Sequence, residues 1–324
     1  MKKKRIAIVY GGFSNESKIS EATTATILQN LDSKKYKIFS FDLAKDLRSF
    51  LNLILDKKID LVIPAIHGWG GEDGRLQAML DLFGVNYIFS PYLAHAIGMN
   101  KKITKIMAKE VGLTVLPDMV IKKNKKISYN QVVKTLSFPI IVKPNNSGSS
   151  IGIRVAKNRK ELKEAVKHGF KFDKELILEK FINGREFTVT VKDDKKIHIL
   201  PIIEIIPKAS AWFDYDAKYL DGGSQEICPA KISKQISQKL SEDSAKIYEI
   251  LGCRDLARVD FIQDKKTKKI YFIEINTIPG LTKNSLVPKA LLSKKIKISH
   301  FFESLIKKNS FNVRTNGKIK SINY

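Results

Sequence analysis

The apolar positions of the first hundred residues fall into short runs separated by helical patterns. Residues 5–10 form an apolar run ending at Gly11-Gly12, the pattern of a buried strand and a tight turn. Residues 17–31 read as a helix, 36–42 as a second strand, and 60–66 as a third strand ending at His67-Gly68. Residues 74–83 are helical in pattern and 85–89 strand-like. Strands alternating with helices predict a parallel, doubly wound sheet. Ligands of such sheets sit at the carboxyl ends of the strands. Two segments lie there: Gly11-Gly12-Phe13-Ser14-Asn15-Glu16 and His67-Gly68-Trp69-Gly70-Gly71-Glu72-Asp73-Gly74.

The pattern changes near Asn100. A Lys-rich helix over 101–111 leads to Gly112, and a Lys-rich loop at 122–126 and a short helix follow. Strands over 140–143 and 151–156, a helix near 160–169 and a strand over 176–181 make a small α+β unit. Beyond it the pattern predicts strands at 186–191 and 197–206 and a long helix at 233–251. Strands at 257–263 and 270–276 and a last helix at 286–308 complete it, and the polar tail from Ser310 is expected to fray.

Two constellations carry candidate chemistry. The first is Lys143-Pro144-Asn145-Asn146-Ser147-Gly148-Ser149-Ser150-Ile151-Gly152, between two predicted strands. Small residues let the backbone approach a phosphate, and successive N–H groups form an anion nest. The lysine precedes the loop on a strand, so this is no Walker loop, in which Lys-Ser/Thr opens a helix. The same stretch also reads as a plain hairpin connection.

The second constellation is Arg258 and Asp260 in one apolar strand and Glu274 and Asn276 in the next. Strand alternation puts each pair on one face. If the polar turn 264–268 closes a hairpin centred near Thr267, Asp260 lies opposite Glu274 and Arg258 opposite Asn276. Two carboxylates and an amide carbonyl are hard oxygen donors, suited to Mg²⁺ carrying substrate phosphates. No His or Cys joins them, which disfavours zinc. The plainer reading is an Arg–carboxylate ion pair on an exposed sheet face.

Composition bounds these readings. The 324 residues, 43% hydrophobic, suffice for two or three ordinary domains. No apolar run approaches the roughly 18 residues of a membrane span. The basic start Met1-Lys2-Lys3-Lys4-Arg5 precedes only Ile6-Ala7-Ile8-Val9-Tyr10, too short for a secretory core. Cys228 and Cys253 make no disulfide framework. The expectation is a cytoplasmic protein with no membrane partner. A net charge of +25 suggests an anionic partner. Yet the chain has 49 Lys against 9 Arg, spread along its whole length, whereas nucleic-acid readers lean on Arg. The charge therefore reads as a diffuse solvated surface, and no nucleic-acid partner is expected.

Taken in order, the motifs resemble those of the D-alanine–D-alanine ligase family of the ATP-grasp superfamily. The resemblance runs collinearly from Ile6 to about Lys307. Besides the segments above it rests on Leu178-Glu179-Lys180, Glu186-Phe187-Thr188-Val189, Tyr215-Asp216-Ala217-Lys218-Tyr219 and Cys228-Pro229-Ala230. It continues through Arg258-Val259-Asp260, Glu274-Ile275-Asn276-Thr277-Ile278-Pro279-Gly280-Leu281-Thr282 and Ser285-Leu286-Val287-Pro288. The fold class so implied is α/β and α+β: an N-terminal doubly wound parallel sheet (pre-ATP-grasp) followed by a two-lobed ATP-grasp fold. The implied domains are an N-terminal substrate-binding unit at 1–97, a central small domain at 98–183, a C-terminal catalytic domain at 184–309 and a polar tail at 310–324. The implied activity is a carbon–nitrogen ligase joining two D-alanines to D-alanyl-D-alanine for peptidoglycan. It would run through a D-alanyl phosphate and release ADP and phosphate. ATP and two Mg²⁺ are the implied cofactors, with Mn²⁺ able to substitute, and the implied assembly is a homodimer.

The resemblance also implies roles. Asp260, Glu274 and Asn276 would hold the metal ions. Arg258, with the N–H of Gly280, would stabilise the tetrahedral oxyanion. Lys101, Lys143 and Lys218 would bind phosphates, although by spacing alone any one lysine is a solvated charge. Ser149 and Ser150 would close over the phosphates, and Glu186 would take the ribose hydroxyls. Glu179, with backbone groups of Lys180, Phe181 and Ile182, would read adenine at a strand edge. Glu16 would hold the first D-alanine's ammonium in a triad with Ser149 and Tyr219. Ser285 and Leu286 would meet the second D-alanine's carboxylate, and His67 reads equally as a substrate contact or a structural histidine. Tyr219, where D-lactate-using relatives carry Phe, points to D-alanine as second substrate.

The chain departs from the family pattern at Ser17-Lys18, Trp69 and Asn145-Asn146-Ser147. Those departures bear on the substrate loops rather than the reaction. Two alternatives remain at this point. Another ATP-grasp carboxylate–amine ligase would need no trio of Glu16, Tyr219 and Ser285. A non-enzymatic nucleic-acid binder would show a steep salt slope and no amino-acid-dependent ATPase.

Overall fold

A computed structural model describes residues 3–12, 16–148, 150–194, 196–208 and 223–311. Strands β1 (Lys4–Tyr10), β2 (Tyr36–Asp42) and β3 (Leu61–Pro64) form a parallel sheet in the order β2-β1-β3. Alternation along β1 sends Ile6 and Ile8 to one core and Ala7 and Val9 to another, so both faces are covered. Helices α2 (Leu43–Leu55) and α3 (Arg75–Leu82) supply Phe50, Ile54, Leu76 and Leu80 to the second core.

Helix α1 (Ser17–Asn30) and the last helix of the chain supply Ile27, Phe301 and Phe302 to the first core. Helix α2 falls where the pattern predicted no element. It starts at Asp42, whose carboxylate accepts the Ala44 N–H at 3.0 Å and so caps the helix. The same Asp42 explains Gly11, which lies at φ +69°; a Cβ there would stand 2.3 Å from the Asp42 carboxylate. Residues 85–89 make only a single parallel bridge, Val62 to Tyr87, rather than a strand.

Helices α4 (Tyr92–Met99) and α5 (Lys101–Glu110) lead to a second sheet. It comprises β4 (Asp118–Lys122), β5 (Ile140–Pro144), β6 (Arg154–Ala156) and β7 (Glu175–Lys180), in the order β4-β7-β5-β6. Helices α6 (Tyr129–Leu136) and α7 (Arg159–Gly169) cover it with Val132, Leu136, Leu162 and Val166. β4 and α4 were not predicted. β6 is shorter than 151–156 because Ile151 and Ile153 turn back on the carbonyls of Gly148 and Ser150.

The third sheet has the order β11-β10-β8-β12-β13. Its strands are β8 (Gly184–Asp193), β9 (Ile197–Ile199, beside β8), β10 (Ile203–Pro207), β11 (Ser224–Ile227), β12 (Leu256–Asp264) and β13 (Ile270–Asn276). The single strand predicted over 197–206 is thus two, and β11 is added. Helix α8 (Lys234–Ile250) packs Leu240 and Ile247 against Val189, Val259 and Phe261. The predicted last helix is two, α9 (Leu286–Ser293) and α10 (Ile298–Phe311), separated at Lys295 with φ +58°.

One buried polar knot ties the first sheet to the third. The Arg254 guanidinium donates to the carbonyls of Tyr87 and Phe89 at 3.0 and 2.8 Å. The Asp255 carboxylate, fully buried, accepts from the Phe89 N–H and the Asn309 amide at 2.8 Å each. Lys308 of α10 pairs with it at 2.9 Å.

Candidate active site

The predicted hairpin register holds: Arg258 pairs with Asn276 and Asp260 with Glu274. Val259 and Ile275, on the opposite face, lie in the core, so the four polar side chains share the other face. The ladder slips after Asp260, a bulge that leaves the Asp260–Glu274 pairing intact. Arg258 donates to both Asp260 oxygens, at 3.0 and 2.9 Å, and Thr188 of β8 donates to one of them at 2.5 Å. Lys101 stands 3.3 Å from Glu274 and donates to the Ser147 carbonyl at 2.7 Å. The Asn276 side-chain oxygen accepts the Ile278 N–H at 3.2 Å. Among the described residues no group of three His, Cys, Asp or Glu side chains is gathered for a metal. The donor set of Asp260, Glu274 and Asn276 is all oxygen, and each of its carboxylates is already matched to a cation. That chemistry fits a hard divalent ion.

Two cavities flank this hairpin. The larger, about 430 Å³, is lined by Glu16, His67, Glu72, Lys101, Arg258, Glu274, Asn276, Gly280, Ser285 and Leu286. The smaller, about 100 Å³, is lined by Lys101, Lys143, Ser150, Lys180, Phe181, Ile182, Glu186, Asp260 and Glu274. Lys101, Ser147 and Glu274 line both, so the cavities meet at them. Lys101 is held there by the start of α5: Asn100 caps the helix through the Ile103 N–H, and the Lys101 N–H donates to Asn145 at 3.0 Å. Ser150, in the loop between β5 and β6, has φ +59°, a left-handed backbone rare for a side-chain-bearing residue.

At the mouth of α1, Glu16 is 4% exposed. A Cβ on Gly148 would lie 3.3 Å from both Glu16 oxygens and 3.4 Å from Glu72, so the loop backbone passes close to the two acids. His67 lines the large cavity and is also bonded internally, to the Thr23 hydroxyl at 3.0 Å and Glu72 at 3.4 Å. It is thus tied into the fold while facing the cavity. Ser285 precedes α9 and its hydroxyl meets that of Thr282 at 2.7 Å. A Cβ on Gly280 would come within 2.9 Å of the Ser285 hydroxyl, so Gly280 brings its backbone against Ser285. Leu286 opens the helix, where an N–H faces an anion favourably.

Glu179 departs from its expected place. Its carboxylate does not sit open at a strand edge or line the smaller cavity. It is buried, 2.6 Å from Lys143 and hydrogen-bonded to Lys105. Burial works against its charge, but Lys143 and Lys105 outweigh that and hold the carboxyl well below the usual range. Burial likewise opposes the Lys143 charge, and Glu179 overrides it and raises that ammonium's pKa. The backbone N–H groups of Lys180 and Phe181 are also engaged, with the carbonyls of Pro117 and Pro139.

Ser149, Lys218 and Tyr219 lie outside the described residues, as do Phe13, Ser14 and Asn15. Sequence reasoning passed over three residues here. Glu72 sits in a motif it quoted. Lys105 is four residues beyond Lys101, on the same helix face. Glu226, paired with Lys289, lines the large cavity from β11, an element that was not predicted.

A family model described as D-ala D-ala ligase C-terminus matches residues 107–307. A D-alanine–D-alanine ligase of Syntrophobacter fumaroxidans is 37% identical, over 93% of this chain and 96% of its own. One of Caldicellulosiruptor bescii is 33% identical over 100% of this chain and 99% of its own. The crystal structure of the Bacillus anthracis D-alanine–D-alanine ligase complexed with ATP superposes with a TM-score of 0.82 at 32% identity, covering 97% of this chain and 99% of that one. Sheets and cavities together have the architecture of the ATP-grasp ligases. The chain belongs to the D-alanine–D-alanine ligase family, whose known function is ATP-dependent ligation of D-alanine for peptidoglycan precursors.

Proposed function

We propose that this chain joins two D-alanines at the junction of its two cavities, using ATP and two Mg²⁺ or Mn²⁺. One observation supports this above the rest: Lys101, Ser147 and Glu274 line both cavities, so a phosphate in one reaches an amino acid in the other. ATP occupies the smaller cavity, with Lys101 and Lys143 on its phosphates, Ser150 over them and Glu186 on its ribose. The Ile182 N–H and nearby carbonyls face adenine, since the Lys180 and Phe181 N–H groups are engaged. Asp260, Glu274 and Asn276 would hold the cations, which neutralise phosphate charge so that an anionic carboxylate can approach.

Arg258, bound to Asp260, also lines the larger cavity. From there its guanidinium, with the Gly280 N–H, stabilises the oxyanion formed as the second amine attacks a D-alanyl phosphate, which then expels phosphate. Glu16 holds the first ammonium; Ser285 and the start of α9 hold the second carboxylate. The domains are proposed at 1–97, 98–183 and 184–309, in a cytoplasmic homodimer. The test is phosphate release from ATP on adding D-alanine. Turnover by the parent and a loss of at least about a thousandfold in Glu274→Gln are expected. Equal release with L-alanine, or near-normal turnover of Glu274→Gln, would sink the reading.

A further inference from the structure

Behind the smaller cavity lies a charge cluster that the proposed reaction leaves without a role. Lys105 is 1% exposed and lines neither cavity. It sits about one helical turn beyond Lys101 on α5. Its ammonium donates to the Leu116 carbonyl at 2.9 Å, stands 3.4 Å from Asp118 and is hydrogen-bonded to Glu179. Glu179 holds Lys143 at 2.6 Å, and Asp118 holds Lys102 at 2.6 Å. Within the cluster two carboxylates thus face three ammoniums, one ammonium in excess; Glu186 and Glu274 also attract Lys143 at the cavity, more weakly than Glu179.

That excess has a direction. Lys102 is bound to Asp118, and Lys105 is enclosed between two carboxylates and a carbonyl. Lys143 alone of the three also lines the nucleotide cavity together with Glu186 and Glu274. For its ammonium to turn to a phosphate it must loosen from Glu179. A buried carboxylate left without a cation is strongly unfavourable. Lys105 removes that obstacle, because it keeps Glu179 neutralised when Lys143 turns away.

We propose that Lys105 is a positioning residue for the nucleotide: by holding Glu179, it releases the Lys143 ammonium to the phosphates. This rests on Lys143 being a phosphate ligand, which the experiment tests separately. The affinity of the full-length chain for ATP with Mg²⁺ is measured by titration calorimetry. Lys105→Met is expected to weaken ATP about tenfold, roughly 1.4 kcal/mol. Lys105→Arg, which keeps the charge, should remain within about threefold of the parent. In a Glu179→Gln background the carboxylate that holds Lys143 at 2.6 Å is gone, so adding Lys105→Met should change affinity by less than about twofold.

An equal loss in both backgrounds would overturn the inference, since a merely structural lysine would weaken binding whatever stood at 179. Should Lys105→Met alone fail to fold, the double variant with Glu179→Gln removes both charges of that pair. It is expected to fold and to bind ATP within about threefold of the parent, and a tenfold loss there would also overturn the inference. Lys143→Met should weaken ATP at least about tenfold. Unchanged affinity in that variant would instead overturn the assignment of Lys143 to phosphate.

Discussion

Two buried charge clusters, one around Asp255 and one around Glu179, use similar parts to different ends. Around Asp255 every partner is structural: the Phe89 N–H, the Asn309 amide and Lys308 converge on a carboxylate closed to any cavity. Around Glu179 one partner, Lys143, also faces the cavity assigned to nucleotide. The first cluster is fully matched and joins parts of the chain far apart in sequence. The second carries a surplus cation at its open side. A matched cluster fixes geometry, whereas an unbalanced one next to a cavity is ready to be completed by an anion.

The contrast breaks most visibly at Asp255. Asp255→Ala strands the buried Phe89 N–H and leaves Lys308 with Asp193 as its one carboxylate, and is expected to cost about 3–5 kcal/mol in a urea unfolding experiment. A loss below about 1 kcal/mol would mean that the knot does not hold the sheets together. At the cleft the effect should fall on rate instead. Arg258→Met is expected to lower kcat by about 10²–10³ and to move the unfolding midpoint little, because its Asp260 partner is left beside solvent and Thr188. A matched fall in stability would place Arg258 with the structural cluster.

The smallest effect is acid sensitivity around Glu179. Its pKa is depressed from an ordinary 4.5 to about 2 in the folded chain, against burial, by Lys143 and Lys105. Such a group contributes stability that is fully present above about 4.5 and lost as pH falls toward about 2. Glu179→Gln should therefore flatten the drop in unfolding midpoint across that window. An unchanged slope would assign the acid loss to other carboxylates.

The β12–β13 hairpin was legible because two rules suffice for it: strand alternation and the centre of a polar turn. Asp260 opposite Glu274 follows from counting, and even the bulge after Asp260 leaves that pairing untouched. The fold of the first sheet was legible for the same reason, since each strand is a short apolar run with a glycine or polar stop. What escaped depends on contacts remote in sequence. Glu179 reads as an adenine contact at a strand edge until Lys105, from α5, and Lys143, from β5, are brought against it. Helix α2 escaped although its cap, Asp42, was counted as the last residue of a strand, a boundary residue serving both elements. The net charge of +25 pointed nowhere in particular, whereas the single surplus ammonium beside Glu179 points into one cavity.

The loop at 147–148 is gripped from two sides. Lys101, where the two cavities meet, holds the Ser147 carbonyl, and Gly148 approaches Glu16 and Glu72 in the larger cavity. A segment shared in this way makes the two occupancies a linked pair. Whatever factor an amino acid lends to nucleotide affinity through this loop, the nucleotide must lend back to the amino acid in equal measure.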